Sequence, residues 1–325
     1  MTSSSDVAQR AGVSRSTVSQ IFNGHEHRFS ADTVERVRQV AQGMGYRPSL
    51  AGRTLVRGTS DIVLTLVPNI TFGPRLRELI DVVTNDLAKA GLVNLLRIAE
   101  GHEAVHDAVL GLRPFGVISL APLPPEQKER LEAQGIPIVE QTAQSQKSID
   151  EAIGRLQAKH LASAGYDTIV VAAPTDPRER TIAPPRTAGV RAWCKENQVN
   201  FLPPLAVEMA PGGPAAAISQ LPRKRIGIAA YNDDVALAIL LALQHAGWSV
   251  PSEVGIIGVD NTPIAQLSIP TLTTVDFDLV YSAHEIVRTV LNKKADQSLS
   301  DMVDEVEERL TVVPGGSTLA SSAHS

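Results

Sequence analysis

Apolar and polar positions follow two different rhythms along this chain. Over the first 45 residues the apolar positions recur at helical spacing in three short segments. Val7, Ala8 and Ala11 share one face of a helix from about Ser5 to Ala11, and Gly12 supplies the left-handed backbone of a tight turn. Ser14 is placed to cap a second helix carrying Val18, Ile21 and Phe22. A third follows Ser30, with Val34, Val37, Ala41 and Met44 as its stripe and Gly43 and Gly45 favouring its end. So short a turn between the first two helices makes their apolar faces meet at a steep angle, which is a helix-turn-helix. Arg15, Ser16, Ser19 and Gln20 then stay on the outside of the second helix.

"YRPSLAGRTLVRGTS", residues 46–60, reads as a connector with too few apolar residues for a core of its own. Beyond it, apolar runs alternate with amphipathic helical patterns. Strands are predicted at "DIVLTLVPN", "VNLLRIA", "FGVISLAP" and "IPIVEQ", with helix "LRELIDVVTNDLAKAG", a further helix after "VNLLRIA", and helix "PEQKERLEAQG" between them. From about residue 150 the rhythm restarts with helix "EAIGRLQAKHLASAG", strand "TIVVAAP", helix "TAGVRAWCKENQ" and strand "PLAVEM". Strand "RIGIAAYN", helix "DDVALAILLALQHAG" and strand "VGIIGVD" continue it. The pattern predicts an all-α helix-turn-helix head followed by an α/β core of two successive lobes, each a doubly wound parallel sheet. Ligands of such sheets sit beyond the carboxyl ends of the strands, so the loops after "LVPN", "VAAP", "AAYN" and "IIGVD" are the candidate binding loops.

The chain has 325 residues, 43% of them hydrophobic, enough for a small domain and a larger one. Its single cysteine, Cys194, excludes an internal disulfide and fits a reducing compartment. No apolar targeting segment or membrane-length run is present, so a cytoplasmic protein without a membrane partner is expected. The net charge of −5 is unevenly spread. Residues 1–60 hold eight Arg, no Lys and four acids, a net +4, whereas the remainder holds 22 bases and 31 acids, a net −9. A basic head on an acidic body points to a polyanion as the head's partner.

The head, in "DVAQRAGVSRSTVSQIFNG" and "SADTVERVRQVAQGMGYRP", closely resembles the lac repressor family of bacterial transcription regulators. The likeness continues through "KHLASAGYDTIVV", "RTAG", "AAYNDDVALAILLALQHAG", "VPSEVGIIGVDN" and "PTLTTVDF", nearly the whole chain. It implies a DNA-binding head over residues 1–46, a hinge over 47–60 and a periplasmic-binding-protein-like core over 61–325. That core would have crossovers between its lobes and would bind an effector and dimerise. The resemblance places Arg15, Ser16 and Gln20 at base-reading positions in the major groove of a pseudo-palindromic duplex operator. Ser14, Thr17, Ser19 and Asn23 fall at phosphate-holding positions. An Arg suits guanine and a Gln suits adenine. Many relatives carry Arg at the position of Gln20, so operator sequence does not carry over. Leu55 matches a leucine that wedges into the minor groove when two connectors fold into helices on DNA. Gly52 stands where relatives usually have Ala, weakening that helix by ~1 kcal/mol per chain, and Ser49 replaces the usual Asn. A hinge with a raised folding threshold is expected.

In the core, the resemblance makes Arg186, Asn232 and Asp260 effector contacts on strand-to-helix loops, with Asp233 as a helix cap. Phe72 and Phe277 are the candidate aromatic platforms, and Trp193 is assigned to helix packing. Aromatic residues make up only 4% of the chain, which leaves both a sugar and a non-sugar metabolite open as effector. Inducer and corepressor also remain open, as do repression and activation. The tail lacks a leucine heptad and ends in a Gly/Ser/Ala-rich stretch, which favours a homodimer over a tetramer. Two rival classes are weaker. A periplasmic-type solute-binding protein would account for the core but not the head. "HEAVH" (His102, Glu103, His106) literally fits a zinc hydrolase motif, yet no third ligand is evident nearby. "HEH" at 25–27 reads as a polar loop. No catalytic residue, metal or cofactor is assigned.

Overall fold

The structure, a computed structural model, describes residues 2–22, 24–46, 54, 58–69, 73–99, 105, 107–179, 182–292 and 308–320. Asn23, Ser49, Gly52, Leu55, Phe72 and the three polar residues of "HEAVH" lie outside the described residues.

The head is the expected three-helix unit: α1 (Ser4–Ala11), α2 (Arg15–Phe22) and α3 (Ala31–Gly43). Ser3 and Asp6 form a reciprocal capping box at the start of α1, and Gly12 ends it at φ +67°. The Ser14 hydroxyl accepts the Thr17 amide at 3.0 Å, so the expected cap of α2 forms, and Ser30 caps α3 in the same way through the Thr33 amide. Val7, Val18 and Val37 are fully buried against one another with Ala8, Ala11, Ile21 and Ala41 around them. The Arg36 Nε also donates to the Ala11 carbonyl at 3.1 Å, clamping α3 onto the turn.

The first lobe is a parallel sheet in the order β2-β1-β3-β4: β1 (Ile62–Pro68), β2 (Val93–Ala99), β3 (Gly116–Ser119) and β4 (Ile138–Glu140). β1 is apolar apart from Thr65 because both its faces are covered, and the buried Thr65 hydroxyl donates to Asn94 at 2.7 Å. Val63 and Val67 pack under α4 (Pro74–Lys89), while Leu64 and Leu66 face the opposite layer with α5 (Asp107–Leu110) and α6 (Pro125–Ala133).

The second sheet runs β11-β10-β9-β8-β5-β6, with β7 also paired to β5. Its strands are β5 (Thr168–Pro174), β6 (Asn200–Phe201), β7 (Leu205–Val207), β8 (Ile226–Ala230), β9 (Val254–Val259), β10 (Thr273–Asp276) and β11 (Thr311–Val313). Its helices are α7 (Ala143–Ser163), α8 (Ala183–Glu196), α9 (Gly213–Ile218) and α10 (Asp233–His245).

Three features correct the expected succession. The lobes are not simply consecutive as the rhythm alone suggests: α11 (Leu279–Leu291) follows β10 yet packs on the first lobe against α4, a crossover of the kind the resemblance implies. The chain then returns to add β11, antiparallel to β10, so the second sheet is not wholly parallel. The "PLAVEM" strand is only three residues long, and the following "GPAAAI" is helix α9. The Gly/Ser tail is not all solvent either: Ser317 and Thr318 are buried, and a Cβ on Gly315 would fall 2.5 Å from the Leu272 backbone.

Candidate nucleic-acid interface and inter-lobe cleft

On α2 the structure places Arg15 and Ser16 at the exposed surface and Thr17, Ser19 and Gln20 half-exposed, while Val18 and Ile21 point inward. The Ser14 hydroxyl lies 2.7 Å from the Ser16 hydroxyl and 2.8 Å from that of Thr17. The three hydroxyls carry three hydrogens and the two contacts use two, so the cluster can turn a donor outward without unmaking the cap. Arg15 Nε donates to the Ser4 hydroxyl on α1 at 3.2 Å, which holds its guanidinium beside the helix N-terminus. With no acidic residue in the first turn of α2, that end is open to an anion.

The second site is a cleft of about 990 Å³ between the lobes. All four predicted loops reach it: Pro68 and Asn69 after β1, Pro177 to Glu179 after β5, Tyr231 and Asn232 after β8, and Asp260 and Thr262 after β9.

Its floor depends on two glycines. α7 and α8 cross so closely that a Cβ on Gly154 would lie 2.1 Å from the Arg186 carbonyl, and one on Gly189 2.1 Å from that of Glu151. This contact sets Asp150 of α7 opposite Arg186 of α8, with Asp150 Oδ1 accepting from Arg186 Nη2 at 2.6 Å. Gln146 donates to the other Asp150 oxygen at 2.7 Å. Asp150 is wholly buried, and burial raises its carboxyl pKa despite the opposing pull of Arg186. Arg186 also donates to the Tyr231 carbonyl and lies 4.8 Å from that ring's centre. The Tyr231 hydroxyl donates to buried Glu179, and burial holds its phenol well above the usual range. Arg186 is expected on a loop but sits in the first turn of α8. That helix starts early because Pro184 and Pro185 occupy first-turn positions, where an N–H has no helical partner to lose.

From the first lobe, Arg75 at the start of α4 reaches across. It donates to Asp276 at 2.8 Å and to the Phe277 carbonyl at 2.6 Å, and lies 5.5 Å from the centre of the half-buried Phe277 ring. The Nε atoms of Arg75 and Arg186 are buried without a hydrogen-bond partner.

Asn232, expected to face an effector, lines the cleft but is also the cap of α10, accepting the Val235 amide at 3.0 Å. Asp233 is therefore not the cap. It is wholly buried, and its carboxylate takes the Thr262 amide and hydroxyl and the Thr274 hydroxyl at 2.7, 3.0 and 2.6 Å. Those bonds draw it inward and tie the loop after β9 to strand β10. Asp260 stands at φ +103° and its carboxylate makes no hydrogen bond among the described residues. Burial pushes it up to about 7, against the pull of Arg186 and with Asp233 repelling it. Trp193 packs on the second lobe's core, as expected.

The sequence reading missed Asp150, Arg75, Glu179 and Tyr231. The signal for Asp150 was a polar and small stripe on α7 (Gln146, Asp150, Gly154, Gln157) at helical spacing, an unusual face to bury. Among the described residues no group of three His, Cys, Asp or Glu is placed to hold a metal, and no helix is long and apolar enough to cross a membrane.

Two family profiles match the chain: "Bacterial regulatory proteins, lacI family" over residues 5–49 and "Periplasmic binding protein-like domain" over 158–318. The chain is 28% identical to the HTH-type transcriptional repressor PurR of Vibrio atlanticus, over 94% of this chain and 97% of the relative. It is 28% identical to the ribose operon repressor of Halalkalibacterium halodurans, over 91% and 92%. Among solved structures, the lac repressor dimer bound to operator and the anti-inducer ONPF superposes with a TM-score of 0.77 at 22% identity, covering 98% of this chain and 99% of that one.

Proposed function

We propose, for a chain that belongs to the lacI family of bacterial regulatory proteins, that DNA affinity in the head is set by a small molecule held in the cleft. The protein is a DNA-binding transcriptional regulator and not an enzyme. In this reading two copies bind a pseudo-palindromic operator and repress. Arg15, Ser16 and Gln20 read base edges; Ser14, Thr17, Ser19 and, outside the described residues, Asn23 hold phosphates; Leu55 enters the minor groove. Arg186, Asn232, Asp260 and Phe277 contact the effector, with Phe72 adding to the first lobe's side.

The observation that carries this is the pairing of an outward hydroxyl, amide and guanidinium face on α2 with a cleft that takes side chains from both lobes. Dimerisation is supported by apolar surface left in solvent. Val93, Leu96 and Ile98 on the edge strand β2 are 58%, 45% and 56% exposed, and Leu267 and Ile269 of the second lobe 80% and 85%. Isolated surface leucines are ordinary, but an exposed apolar edge strand calls for a covering partner. A ligand preferring one lobe arrangement shifts DNA affinity only by its difference in affinity for the two arrangements.

The test is selection of duplex fragments from the source genome by the full chain, followed by anisotropy titration at several salt concentrations. A pseudo-palindromic site is expected, with steep salt dependence and loss of base preference in Arg15→Ala and Gln20→Ala. Indifference to every duplex, with or without metabolites, overturns the reading.

A further inference from the structure

The charged groups of the cleft fall into two sets. Every described cation lining it faces a carboxylate of the protein itself. Arg186 is paired with Asp150 at 2.6 Å, and Arg75 with Glu78 at 2.7 Å and Asp276 at 2.8 Å. Arg178 is forked onto Asp176, and Lys147 lies 3.8 Å from Glu151. These four cations are therefore largely neutralised before any ligand arrives. What two of them still offer is N–H donors: a buried Nε–H without a partner on Arg75 and on Arg186, and the Nη hydrogens that their ion pairs leave unused, all suited to hydroxyl or water oxygens.

The carboxylates lining the cleft are not balanced in the same way. Asp150 is held by Arg186 and Gln146, and Glu179 accepts the Tyr231 hydroxyl. Asp260 and Asp234 carry no hydrogen bond or ion pair on their carboxylates among the described residues, and the two repel each other. Asp234 is exposed in the first turn of α10, where the helix N-terminus favours its charge. Asp260 is half-buried at the cleft wall, and burial there disfavours its negative charge. Among the described residues, an entering anion would meet two carboxylates and no cation without a carboxylate of its own. A neutral polyol would satisfy the two Nε–H donors but would leave the surplus negative charge in place.

Resting on the effector reading above, we infer that the cleft takes a small hydroxylated amine, its ammonium set against Asp260 with Asp234 adding a second negative charge, and its hydroxyls on the polar rim. Gln141, Asn69 and Ser282, which line the cleft from the first lobe's side and the α7 entry, supply further hydroxyl partners. Asp260 thereby determines the charge class of the ligand.

Calorimetry on the full chain with D-glucosamine, D-galactosamine and D-mannosamine, their parent hexoses and the corresponding aldonic acids tests this. At least one amine is expected to bind at least about tenfold tighter than its neutral parent, ~1.4 kcal/mol, and the aldonates weakest. Asp260→Asn should remove most of that preference, and Asp234→Asn part of it. Equal or tighter binding of a hexose or aldonate overturns the assignment, as does failure of every amine to bind at or below ~1 mM. The same titrations repeated with operator present separate the two readings. A neutral or acidic probe that changes operator affinity leaves effector control standing and removes the amine class. An amine that binds in the cleft without moving operator affinity keeps the class and removes effector control.

Discussion

Asp260 is a group that the fold holds at a cost, and replacing it should show how large that cost is. Its carboxyl moves from 3.8 to about 7, with burial as the leading cause. Held in a fully dry site, such a rise penalises the ionised form by about 4 kcal/mol. Asp260 keeps some contact with solvent, which lowers the penalty, and Asp260→Asn should stabilise the protein by about 2 kcal/mol near pH 8. The direction with pH follows from proton uptake. Below about pH 4 the carboxyl is protonated in the folded and unfolded chains alike, and the substitution has little effect. Between about 4 and 7 the folded chain retains a proton the unfolded chain has lost, so wild-type stability falls as pH rises. Above about 7 both forms are ionised and the full penalty applies. Asn keeps the shape and tolerates the φ of +103° better than other residues would. The assay is urea unfolding followed by tryptophan fluorescence, at one protein concentration because dimerisation would otherwise shift the midpoints. Both tryptophans, Trp193 and Trp248, lie in the second lobe and report on it. An Asn variant no more stable than wild type near pH 8, or equally stabilised near pH 4 and pH 8, refutes the reasoning.

Asp150→Ala leaves the Arg186 guanidinium without its carboxylate in a buried position, and a loss of about 3–5 kcal/mol in urea unfolding is expected, with Asp150→Asn milder. The Cys194 thiol is fully buried and pushed up to about 11. A thiol reagent near pH 8 should therefore label it only at the rate of unfolding, and fast labelling of the native protein would contradict the packing. Gly52→Ala should favour the hinge helix by ~1 kcal/mol per chain and tighten operator binding by about tenfold or more in a dimer; unchanged affinity in a titration removes the raised-threshold hinge.

Much of this was readable because it is local. The cap by Ser14, the turn at Gly12 and the outward face of α2 depend on residues within one or two helical turns of each other. The central strands β1, β3, β5, β8 and β9 were readable for a related reason: burial on both faces makes them mostly apolar runs, whereas β6, β10 and β11 were not read as strands. What escaped depends on distant partners. Asn232 and Asp233 are both good caps by composition. The choice between them is made by Thr262 and Thr274, 29 and 41 residues downstream, which draw Asp233 inward. Asp150 is a polar residue on a long helix until Gly154 and Gly189 let α8 approach and bring Arg186 to it. α11 is coded after the second lobe but buries Leu279, Ala283, Ile286 and Val287 against the first, so no local rhythm assigns it to a lobe.

The same crossing of α11 gives the cleft a short path to the arrangement of the lobes. A ligand moves two lobes relative to each other only if it contacts them differently in the two arrangements. Asp260 is followed by Asn261, whose side-chain amide donates to Asp276 at 3.1 Å. Asp276 also accepts Arg75 from the first lobe, and the chain leaves Asp276 to enter α11 three residues later. A ligand drawn to Asp260 therefore presses on the loop that holds Asp276. Asp276 in turn holds both the first lobe's arginine and the start of the helix packed on α4. Asn261 at φ +47° and Asp260 at φ +103° place this loop in the left-handed backbone region, an arrangement kept by its surroundings rather than by local preference. Breaking the Arg75–Asp276 tie with Arg75→Ala removes a contact that only one lobe arrangement needs to contain. Its effect should consequently fall on effector-linked operator affinity more than on the stability of either lobe.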